Sequence, residues 1–80
     1  MRKEIVKKMN TLCSYDRAYT THYKKGGMRI KFYCVGYCDG VCFERIKDSL
    51  ISDFSEIKVK RIKSVGRHGI EIDSIAVYTK

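Results

Sequence analysis

The chain has no tryptophan and no proline, only two histidines among 80 residues, and about half as many acidic as basic side chains. Without proline there is no sign of a rigid linker or a proline-rich recognition segment. No apolar run reaches the length of a membrane span. Met1-Arg2-Lys3-Glu4 carries charge but is not followed by the apolar stretch of a secretion leader, so a cytoplasmic location is expected. His22 and His68 stand far apart, and neither falls in a recognisable nucleophile or metal constellation. A chain this short also lacks the walls for a substrate pocket of useful size. The expectation is a single domain over 1–80 that binds and does not catalyse, with no cofactor.

What is present in excess is positive charge, and it is unevenly spread. The net charge is +8. Residues 1–33 contribute +7, residues 34–56 contribute −3 through Asp39, Glu44, Asp48, Asp53 and Glu56, and residues 57–80 contribute +4. If the acidic block forms one element, the domain has faces of opposite sign.

Ile5, Met9, Leu12 and Cys13 recur at the spacing of one helix face, which predicts a helix over about 2–13. Tyr15, Tyr19 and Tyr23 are four apart and would allow that helix to run on to Lys25. However, Tyr19-Thr20-Thr21-His22-Tyr23 is rich in strand formers, and Met28 to Cys34 alternates strictly. Gly26-Gly27 between the two runs predicts a hairpin. A two-residue turn there would place Tyr19, Thr21 and Tyr23 on the face of Met28, Ile30, Phe32 and Cys34, leaving His22 and Lys24 with Arg29, Lys31 and Tyr33. Asp39 is a candidate N-cap for a second helix over about 40–54, with Phe43, Ile46, Leu50 and Phe54 as its apolar stripe. Two more strands, Ile57 to Val65 and Ile70 to Thr79, flank Gly66-Arg67-His68-Gly69. Pairing them across that four-residue turn sets Ile57 and Val59 opposite Tyr78 and Ala76, and Lys58, Lys60 and Ile62 opposite Val77, Ile75 and Asp73. The fold class is α+β, in the order α-β-β-α-β-β, a four-stranded sheet with both helices packed on one face.

The other face of that sheet would display His22, Lys24, Arg29, Lys31, Tyr33, Tyr37, Lys58 and Lys60, with Glu71 and Asp73 as its few acids. Cations among tyrosines suit single-stranded nucleic acid: the charges neutralise phosphates and the rings stack on bases. Lys24, Arg29, Lys31, Tyr33, Lys58 and Lys60 are therefore candidate nucleic-acid contacts, together with Arg67 in its glycine-flanked turn. Exposed lysines also keep a small sheet soluble and its edges unpaired, so the charge alone does not establish a ligand. No standard nucleic-acid-binding motif is present. An alternative expectation is an inhibitor or adaptor of the phage or mobile-element type. Its acidic helix would engage a host protein or ribonucleoprotein complex that processes nucleic acid. A strand edge or the tyrosines would also support a homodimer.

Cys34, Cys38 and Cys42 are separated by two gaps of three residues and could meet Cys13 or His22 around a zinc ion. That spacing matches no familiar zinc pattern, and a free cysteine behaves as a small apolar residue. Reduced thiols without metal are expected, with Cys34 and Cys42 in the core.

Overall fold

The computed structural model describes residues 1–34, 40–65, 69 and 71–79, and the chain folds in the expected α+β order. Helix α1 spans Arg2–Leu12, with Ile5 and Met9 wholly buried on its inner face. No side chain caps its start. Instead the N-terminal ammonium bonds to Glu4 at 3.0 Å and holds that carboxyl below its ordinary value. The helix ends where Cys13 turns extended, its N–H still bonded to the Met9 carbonyl. Helix α2 spans Gly40–Asp53 and buries Ile46 and Leu50, with Phe43 and Phe54 half-buried beside them. A Lys8–Asp53 ion pair of 2.8 Å joins the two helices. The proposed Asp39 cap lies outside the described residues.

Strands β1 (Tyr15–His22), β2 (Met28–Cys34), β3 (Ile57–Val65) and β4 (Glu71–Thr79) form one antiparallel sheet in the order β1-β2-β4-β3. Helix α2 therefore carries the chain from β2 across β4 to the far edge. One face of the sheet presents Met28, Ile30, Phe32, Ile57, Val59, Ile75 and Val77 to Ile5, Met9, Ile46 and Leu50, and among the described residues these side chains form the core. Both helices thus cover a single face, as their apolar stripes require.

Both hairpins pair out of step with the expectation by an odd number of residues, three in the first and one in the second. In the first, the Tyr23 N–H bonds to the Gly27 carbonyl and the Gly26 N–H to the Tyr23 carbonyl. The loop is therefore Lys24-Lys25-Gly26, three residues instead of two, with Gly26 at φ 90 supplying the left-handed position that such loops place on glycine. Thr20 then pairs Ile30 and Ala18 pairs Phe32, so these residues and His22 share the helix side, and Tyr19 and Thr21 turn outward. Arg2 on α1 confirms the side by donating to the Thr20 hydroxyl. In the second hairpin Val65 pairs Glu71, so the connection is five residues and not four. Val59 faces Val77 and Arg61 faces Ile75, while Lys58, Lys60 and Ile62 face Tyr78, Ala76 and Ser74. A slip by any odd number of residues exchanges every side chain of a strand between faces, so each of these slips reversed one strand.

A bulge at Asp16 restores the opposite parity at the start of β1. It brings Tyr15 back to the core side, where its ring meets Phe32 edge-on at 4.9 Å and its hydroxyl donates to Asn10.

Candidate nucleic-acid interface

Pairing in register arranges the open face of the sheet as three rungs running across all four strands. The first holds Thr21, Arg29, Tyr78 and Lys58; the second Tyr19, Lys31, Ala76 and Lys60; the third Arg17, Tyr33, Ser74 and Ile62. Five of these twelve side chains are cationic, three are tyrosines and none is acidic. Asp16 in the bulge lies 3.7 Å from Arg17, with both side chains well exposed.

The cations and rings are already in contact. The Lys31 ammonium lies over the Tyr33 ring, 4.9 Å from its centroid, and the Lys60 ammonium over Tyr78 at 5.7 Å. Such contacts use the negative face of the ring and hold long side chains along the sheet. Tyr19 meets Tyr33 edge to face at 5.4 Å, and Arg17 donates to the Tyr19 hydroxyl at 3.0 Å. That bond is the main reason the Arg17 guanidinium sits above its ordinary pKa, so it stays charged at any working pH. The result is a positive surface with its aromatic rings in contact with its charges.

Of the residues expected here, Arg29, Lys31, Tyr33, Lys58 and Lys60 lie together on this face. Lys24 does not: it sits exposed in the three-residue turn, off the ladder. His22 belongs to the helix side by register, at its exposed end. Arg67 and Tyr37 lie outside the described residues. Asp73, expected among the lysines, is on the helix side, where it pairs with Arg61 at 3.3 Å with both side chains mostly covered. Moving Asp73 off the open face leaves the potential there more uniformly positive than the alternation had suggested. Arg17, Tyr19, Tyr78, Ser74 and Ala76 were missed, because each lies on one of the two strands whose register slipped.

The sulfur groups sit elsewhere. Cys13 and Cys34 are half-buried thiols hydrogen-bonded to each other, and that bond together with burial pushes the Cys34 thiol far up, so it is protonated at neutral pH. Cys42, expected in the core, is instead exposed at the start of α2. It lines an open groove of about 680 Å³ between the end of α1 and α2, with Leu12, Arg45, Ile46 and Asp48. Among the described residues no three metal-ligating side chains converge, and Cys38 lies outside them. Also among the described residues, no helix is long and apolar enough to cross a membrane.

Comparison with protein-family models, curated proteins and solved structures finds no match to this chain.

Proposed function

We propose that this chain is a small non-enzymatic binding protein of the cytoplasm whose ligand is nucleic acid, gripped by the open face of its sheet. One observation carries the reading: three successive rungs bear Arg17, Arg29, Lys31, Lys58 and Lys60 among Tyr19, Tyr33 and Tyr78, with no carboxylate between them. Cations spaced along a flat surface neutralise a phosphate chain and release its counterions. Rings standing among them offer stacking platforms that tolerate any base. Solubility alone accounts for exposed lysines, but not for tyrosines interleaved with them on one face and kept clear of acids. The exposed carboxylates of α2, Glu44 and Asp48, lie on the opposite side of the molecule. They would orient the domain, with its basic face toward a polyanion.

Salt decides the matter. Protein purified at low ionic strength should elute with nucleic acid and shed it as salt is raised. A preparation free of nucleic acid at low salt, with one host protein retained at high salt, would favour partner inhibition through α2 and refute this reading.

A further inference from the structure

Among the described residues no helix lies over the open face, yet two of its residues are fully covered: Ser74 and Ala76, side by side on the inner strand β4, each show no exposed surface. By register their direct cross-strand neighbours are larger side chains. Ala76 lies between Lys31 and Lys60, and Ser74 between Tyr33 and Ile62. Small residues on an inner strand between large ones make a slot, flanked here by Lys31, Lys60, Tyr33 and Ile62. The Ser74 hydroxyl at the bottom is buried without a hydrogen-bond partner. A desolvated hydroxyl with nothing to bond is a standing cost, and native structures rarely keep one without a reason. Arg29 Nε, one rung beyond Ala76, is buried without a partner as well.

We propose that this slot receives an unpaired base, which makes the ligand of the open face a single strand. This rests on the nucleic-acid reading above and names the form of the ligand. Lys31 and Lys60 occupy the ring faces of Tyr33 and Tyr78 only until something more negative is near. A phosphate draws both ammonium groups off the rings, because a full anion outweighs a ring quadrupole. The same movement uncovers Ala76 and frees the two faces for stacking. A base laid against Tyr33 then brings its edge over Ser74, the direct cross-strand neighbour of that tyrosine, and the orphaned hydroxyl gains its partner. A duplex cannot do this, since its bases are stacked and paired with one another and none is free to lie against a ring. It would engage the cations alone.

The test is fluorescence anisotropy with short labelled homopolymers of each base and with a duplex of equal length, on wild type, Ser74→Ala and the Lys31→Ala Lys60→Ala pair. Wild type should prefer single strands. Ser74→Ala should lose about two- to tenfold on single strands, by unequal amounts for different bases, and nothing on the duplex. Its salt dependence should match wild type, because a hydroxyl releases no counterions. If Ser74→Ala binds every single strand as wild type does while the lysine pair loses affinity, the slot is wrong and the basic face stands. If wild type binds neither form, both fall. Equal wild-type affinity for single strand and duplex also overturns the slot. Should Ser74→Ala fail to fold, Ser74→Cys takes its place, close in volume and a much weaker donor.

Discussion

Replacing Ser74 with alanine should make the protein more stable, although the residue is in the middle of the sheet and fully buried. The hydroxyl makes no hydrogen bond in the folded chain and bonds freely to water in the unfolded one. Burying such a group unpaired costs about 1–3 kcal/mol. Alanine removes that cost and leaves a void of one small atom, worth only ~0.3 kcal/mol at the usual price per volume of cavity. The net gain is about 1 kcal/mol or somewhat more, which in a domain of this size raises Tm by roughly 4–8 °C. Thr79 on the same strand is the natural control, because its hydroxyl accepts from the Met28 N–H at 3.2 Å. Thr79→Val should therefore cost ~0.5–1.5 kcal/mol. Thermal melts followed by circular dichroism, with urea midpoints as a second probe, give both values under one set of conditions. A Ser74→Ala protein that melts at or below the wild-type temperature would show the hydroxyl to be satisfied. The slot would then hold no unpaired group for a ligand to satisfy.

Three further outcomes follow from the geometry. Ala18→Asp sets a charge on the core side opposite Phe32 and should destabilise by about 2–4 kcal/mol, whereas Tyr19→Asp should cost under ~1 kcal/mol; equal costs in denaturant melts would contradict the observed register. Cys42 should be alkylated by iodoacetamide well before Cys34 at mildly alkaline pH, since only thiolate reacts and the Cys34 thiol is held protonated by Cys13 and by burial; mass spectrometry of timed samples reads the order. Asp73→Ala should cost about 1–3 kcal/mol by removing one charge of the mostly covered Arg61–Asp73 pair, and Arg61→Met with Asp73→Leu together should cost less than that single change, as measured by urea unfolding.

The fold was largely legible because its signals are local. Ile5 and Met9, then Ile46 and Leu50, mark helix faces by spacing alone, and Gly26 marks a reversal by what it allows the backbone to do. The faces of two strands were not legible, because they depend on counting a loop to the residue. Lys24-Lys25-Gly26 and Gly26-Gly27 are equally good turns on composition, and only the bond from Tyr23 to Gly27 separates them. Arg29, Lys31, Tyr33, Lys58 and Lys60 survived that uncertainty, since alternation within β2 and β3 opposes each to an apolar neighbour regardless of register. Tyr19 and Tyr78 did not, lying on β1 and β4. One clue was available on β4: Ile75 and Val77 are large aliphatics that belong with Ile57 and Val59, not opposite lysines. Ser74 and Ala76 gave no signal as members of a site, because small residues on a strand read as nothing in particular until their neighbours are known.

The most direct test of the basic face is the salt dependence of single-strand binding for wild type against the Lys31→Ala Lys60→Ala protein. Each lysine that meets a phosphate of a single strand contributes about 0.7 to the slope of log affinity against log salt concentration. The double change should weaken binding to all sequences alike and lower the slope by about 1.4, while Glu44→Ala with Asp48→Ala leaves both affinity and slope unweakened. An unchanged slope in the lysine variant, or wild-type protein that binds no oligonucleotide even at low salt, would contradict nucleic acid as the ligand of this face.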